Sequence, residues 1–88
     1  MGSYRIEFKR SAEQDIRRIE AAFIPNILKR VEALSDNPFP RQSVKLSGAE
    51  GTRRLRVGNY RVIYSVDRGT EAIVVHYVRH RREAYRRL

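Results

Sequence analysis

Cysteine is absent from the 88-residue chain, so neither a disulfide framework nor a thiolate metal site can hold it together. Tryptophan is absent too. The two histidines, His76 and His80, are too few for an ordinary zinc site without acidic help. No apolar run approaches the roughly 18 residues of a membrane span. The opening residues MGSYRIEFKR lack the apolar core of a signal peptide. These absences lead us to expect a cytoplasmic protein with no membrane association, no metal and no cofactor. Repeats, linkers and low-complexity segments are missing as well. The length leaves room for one domain, residues 1–88. Hydrophobic residues make up 41% of the chain, enough for a small core and too many for a disordered segment.

Acidic residues are also scarce: ten, against nineteen lysines and arginines, for a net charge of +9. Lysine is rarer still, since sixteen of the nineteen basic residues are arginine. From Arg53 to Leu88 there are ten arginines and no lysine, opposed only by Asp67, Glu71 and Glu83. Arginine presents a planar fork that grips phosphate with two hydrogen bonds and stacks on bases, whereas lysine is a hydrated point charge. A surface that served only solubility would have no need of that bias. Basic clustering of this kind points to a nucleic-acid partner.

Periodicity outlines an α+β fold. Tyr4 to Lys9 alternates as a half-buried strand. Ser11, with Gln14 three residues on, has the pattern of a capping box at a helix start. Ala12, Ile16, Ile19 and Phe23 give that helix one apolar stripe. Pro25 interrupts it and suits the first turn of a second helix, whose stripe is Ile24, Ile27, Leu28, Val31 and Leu34. Asn37-Pro38-Phe39-Pro40 ends this helical hairpin. Val44 to Leu46 allows a short extended piece. Arg53–Val57, Tyr60–Asp67 and Ala72–Arg79 then read as a three-stranded antiparallel meander, joined by turns at Gly58-Asn59 and Arg68-Gly69-Thr70. The first strand is expected to return to the same sheet, and His80 to Leu88 to form a short helix or tail.

The two-residue turn sets a register in which Val57 faces Tyr60, Leu55 faces Val62, Arg56 faces Arg61 and Arg54 faces Ile63. Leu55, Val57, Tyr60 and Val62 then share the core face, and Arg54, Arg56 and Arg61 share the other. Like charges directly opposed across strands are destabilising. The fold itself gains nothing from this placement, which makes sense if an anion sits among the guanidinium groups. With Val66 facing Ala72, Tyr77 and Arg79 join this second face and His76 packs in the core. His80, Arg81, Arg82 and Tyr85 follow where the strand ends. A basic groove with an aromatic beside it is the arrangement used for single-stranded RNA.

The run Arg54-Leu55-Arg56-Val57-Gly58-Asn59-Tyr60-Arg61-Val62-Ile63-Tyr64, followed by His80-Arg81-Arg82-Glu83-Ala84-Tyr85, resembles the RelE branch of the RelE/ParE toxin superfamily. The Ser11-Ala12 helix start and the Asn37-Pro38 stop agree with it, so the resemblance covers nearly the whole chain. It implies a toxin of a type II toxin–antitoxin system that cleaves messenger RNA in the ribosomal decoding site without a metal. In that reaction the 2′-hydroxyl attacks the adjacent phosphate. The resemblance gives Arg61 and Arg81 the charge on the phosphate and Arg54 and Arg56 the backbone; Arg79 and Arg82, from their place in the basic groove, are expected as further phosphate contacts. Tyr85 matches a tyrosine that stacks on a base and assists proton transfer. The best-known nuclease members carry lysines where this chain has Arg54 and Arg56. Arginine cannot act as a base, so proton transfer falls to His80 or Tyr85. The resemblance also implies an antitoxin that folds on binding. Two other readings use the same residues: a ParE-like toxin that inhibits DNA gyrase without nuclease chemistry, and a binding relative that has lost activity.

Overall fold

A computed structural model describes residues 3–46 and 51–83. The elements run β1 (Arg5–Phe8), α1 (Arg10–Arg18), a 3-10 turn (Ala21–Phe23), α2 (Ile24–Ala33), β2 (Ser43–Lys45), β3 (Thr52–Val57), β4 (Tyr60–Asp67) and β5 (Ala72–His80). They form one five-stranded sheet in the order β1-β5-β4-β3-β2. The expected meander is present as β3, β4 and β5. The expected return of the first strand is parallel to β5, with Ile6 opposite Ile73 and Phe8 opposite Val75. The extended piece at Val44 becomes a fifth strand, pairing antiparallel with β3. Residues 81–83 are helical, and Ala84 to Leu88, including Tyr85, lie outside the described residues.

Both helices cover one face of the sheet. Ala12, Ile27, Val31 and Leu34 pack against Leu55, Val57, Val62, Tyr64, Ile73, Val75 and Val78, all buried. Each fully buried aliphatic side chain of this kind stabilises by about 1.5–3 kcal/mol. The apolar stripe of α2 is as its spacing predicts. The first helix is shorter than its stripe suggests: it ends at Arg18, and Phe23, the last member of the stripe, is 49% exposed. Pro25 therefore stands in the first turn of α2 after a break that has already occurred.

Ser11 does not cap α1. The N-cap is Lys9, with no side-chain hydrogen bond, and the Ser11 hydroxyl donates instead to the His76 carbonyl at 2.6 Å. One turn on, a carboxylate oxygen of Asp15 accepts from the Val78 N–H at 3.0 Å. β1 accompanies β5 only as far as Val75. Ser11 and Asp15, four residues apart on one helix face, take the place of a strand along the remaining edge of β5. Buried backbone groups there are satisfied without a sixth strand.

The β3–β4 register is the one the turn predicts, from Val57 opposite Tyr60 to Arg54 opposite Ile63. Gly58 opens the turn with φ of 59°, the left-handed conformation that a Gly-first two-residue hairpin requires. The β4–β5 register differs from expectation. Val66 faces Ile73 and Asp67 faces Ala72, and the ladder slips between Ile63 and Tyr64, whose partners are Tyr77 and Val75. His76 is thus an extra residue, a β-bulge. This corrects its expected place in the core: His76 is half-buried, with Nε2 2.9 Å from the Ser65 hydroxyl. Burial, reinforced by the charge of Lys9, holds its pKa below the ordinary value. Because side-chain direction has a period of two, the bulge resets the parity of the strand. Val78 returns to the core, and Tyr77 and Arg79 face the other way.

Candidate functional site

The face of the sheet turned away from the helices carries two cross-strand rows. Arg56, Arg61 and Arg79 form one, on β3, β4 and β5. Val44, Arg54, Ile63 and Tyr77 form the other, on β2 to β5. Neighbouring strands are about 4.8 Å apart, so the arginines stand within reach of one anion. Arg41, Gln42, Val44, Arg54, Arg56 and Arg61 enclose a hollow of about 310 Å³. Its neighbour Ile63 is only 3% exposed. An apolar residue beneath charged groups lowers the local dielectric and strengthens any attraction above it.

The members of the hollow differ in freedom. Arg56 is exposed and Arg54 half-buried. Arg61 is 6% exposed, and its Nη1 donates to the carbonyls of Gly58 and Tyr60, both at 3.0 Å. The expectation that Arg61 has no structural task is therefore corrected. The guanidinium folds back over the hairpin turn and binds its carbonyls. A guanidinium fixed in this way is pre-oriented, as charge stabilisation in a reaction requires.

Arg81 comes to the same end of the sheet. It is exposed, and its backbone N–H donates to the Asn59 carbonyl at 2.7 Å, which ties its main chain to the turn that holds the Arg61 guanidinium. His80 is not brought to the hollow. It faces Tyr60 across the ladder and meets that ring edge-on, with centroids 5.6 Å apart. It lines a separate pocket of about 450 Å³ on the helix side, with Phe23, Asn26, Tyr60 and the hairpin turn. Arg82 is exposed, and nothing groups it with the hollow. Arg79 shares the row of Arg61, yet its Nε pairs with a carboxylate oxygen of Asp15 at 3.0 Å. Arg41 and Gln42 carry no signal in the local sequence that marks them for the site, and Asp15 only its spacing from Ser11.

The comparisons with known proteins agree with this architecture. The RelE–RelB complex of Pyrococcus horikoshii OT3 contains a chain 27% identical to this one, with a TM-score of 0.79, covering 90% of this chain and 96% of its own. The toxin–antitoxin complex RelBE2 of Mycobacterium tuberculosis matches at 26% identity and a TM-score of 0.79, covering 89% and 98%. The RelE1 protein of Methanocaldococcus jannaschii is 23% identical over 86 residues, 94% of this chain and 96% of its own length. The family model described as the ParE toxin of the type II toxin–antitoxin system parDE matches residues 6–85. The chain belongs to that toxin family, within the RelE/ParE superfamily.

Proposed function

We propose that this toxin is a ribosome-dependent endoribonuclease that cleaves messenger RNA by attack of the 2′-hydroxyl on the adjacent phosphate. The observation that carries the reading is the arginine-lined hollow on the open sheet face, which Arg54, Arg56 and Arg61 line together with Arg41. In this reading Arg56 and Arg54 hold the RNA backbone by charge-assisted hydrogen bonds. Arg61, fixed by the turn carbonyls, and Arg81, tied to the same turn, meet the negative charge that builds on the phosphate oxygens. None of these groups accepts a proton. His80 stands on the opposite face from Arg61, so we assign proton transfer to Tyr85, four residues beyond Arg81. The partner in the resting state is an antitoxin, as in the solved RelE complexes. Against a +9 chain it would be acidic. Its binding should raise the melting temperature by mass action.

The match to the ParE family model favours a second reading, a DNA gyrase inhibitor without nuclease chemistry. One paired experiment separates the two. Purified protein is added to translating ribosomes and new 5′ ends are mapped on the message, with a gyrase supercoiling assay run alongside. Discrete new ends that vanish with Tyr85→Phe support cleavage. Intact messages with inhibited supercoiling would establish the second reading.

A further inference from the structure

Arg79 stands in the arginine row, but its charge is already answered. Its Nε pairs with Asp15 at 3.0 Å, and the Asp15 side chain is 9% exposed and fixed by the Val78 N–H. What Arg79 still offers to the open face is its plane. The guanidinium carbon lies over the Tyr77 ring, 4.6 Å from its centroid, so the two planar groups are in contact, with the guanidinium anchored from α1. The Arg79 side chain is 24% exposed.

Tyr77 has no comparable structural reason to be where it is. It is 38% exposed, one of only three large apolar side chains exposed among the described residues. Another of the three, Val44, closes the opposite end of the same row, with Arg54 and Ile63 between them. The bulge at His76 is what turns Tyr77 to this face. An aromatic ring and a neutralised guanidinium, side by side and fixed by a buried carboxylate, suit a flat, uncharged aromatic ligand better than a phosphate.

We propose that the Tyr77–Arg79 stack is a binding site for one unpaired nucleobase of a single-stranded RNA whose phosphates lie in the arginine hollow. The inference rests on the RNA reading above and adds to it a base-contacting element on β5, with Asp15 as its positioning residue. Asp15 fixes the guanidinium plane before the base arrives, which spares the complex part of the ordering cost.

The test uses a short oligouridine carrying one 2-aminopurine, titrated at low salt with the full-length protein while fluorescence is followed. Stacking quenches the probe. Tyr77→Leu should weaken binding about tenfold, the scale of one base–aromatic stack, and relieve the quenching, whereas Tyr77→Phe should behave as the wild type. Arg79→Lys keeps the charge but loses the plane, and should weaken binding as Tyr77→Leu does. Neither Tyr77→Leu nor Arg79→Lys should alter the slope of affinity against salt, because no phosphate contact is removed. Arg56→Gln should reduce that slope by about one. Unchanged affinity and quenching in Tyr77→Leu, with Arg56→Gln impaired, would overturn the stacking site and leave the RNA reading in place. Full activity in Arg79→Lys would make Arg79 a simple charge and overturn its stacking role. A wild-type protein that does not bind the probe would overturn the stacking site as proposed, while the cleavage reading stands or falls on the 5′ ends mapped on ribosomes.

Discussion

The two faces of the sheet are written by the same strands, one residue apart, and they are held in different ways. On the helix side Leu55, Val57, Val62 and Tyr64 are buried together, and the one polar atom that goes in with them, the Tyr64 hydroxyl, donates to the Pro38 carbonyl at 2.6 Å. That burial raises the Tyr64 pKa above its ordinary value. On the other side, arginines stand in register beside Ile63, and order comes from polar anchors: Arg61 on the turn carbonyls and Arg79 on Asp15. The helix side is kept by packing, which tolerates no loss of volume. The arginine side is kept by a few directed contacts, so some of its members can be removed without touching the fold.

Leu55 and Arg56 put that difference to its sharpest test, since they are neighbours on β3 facing opposite ways. Leu55→Ala should cost about 2–5 kcal/mol, a large share of what a domain of this size has. Arg56→Ala should leave stability within about 0.5 kcal/mol while abolishing toxicity in a growth assay. Thermal melts and growth arrest of the two variants check both halves. Equal losses of stability would dissolve the distinction between the faces.

Arg61 is where the two kinds of holding meet. Its removal takes away hydrogen bonds from a charged donor to two carbonyls, so Arg61→Ala should lose about 1.5–3 kcal/mol together with activity. It therefore differs from Arg56→Ala, which loses activity alone. A variant as stable as the wild type would show that the turn holds itself.

The smallest effect concerns pH, and it lies beside the bulge. Folding holds the His76 pKa below its ordinary 6.5, chiefly through burial. As pH falls through that ordinary value the unfolded chain takes up the proton first, so stability declines until the folded value is passed. At neutral pH the contribution is intact. Melting temperature should therefore fall as pH drops below the ordinary 6.5, and His76→Gln should flatten that fall. A profile that His76→Gln leaves unchanged would mean other groups set it.

Much of the arginine face is legible in the sequence because one short-range signal fixes it. Gly58-Asn59 allows a single tight hairpin, and from it the register of Leu55, Arg56, Arg61 and Val62 follows by counting. What could not be counted was β5. Ile73-Val74-Val75-His76-Tyr77-Val78 is almost uniformly apolar, so it has no period from which a slipped residue could be read. The faces of Tyr77 and Arg79 come out as expected, but by a different pairing, and the place of His76 does not. Asp15 escaped for another reason. Its partners lie 63 and 64 residues away on β5, and beside Glu13 and Gln14 it reads as one more solvated helix position. Its spacing from Ser11, at the border of the apolar stripe, is the only local hint.

The bulge also leaves β5 with one residue more than its ladder uses. A chain lacking His76 would keep Val75 and Val78 inward and Tyr77 and Arg79 outward, losing only the local kink and added twist. A chain with one residue inserted just after His76 would have to hold a wider bulge or turn the end of the strand over, exposing Val78 and burying Arg79. The segment therefore has slack in one direction only. Shortening by one at this point preserves the pattern of both faces, and lengthening by one puts both at risk.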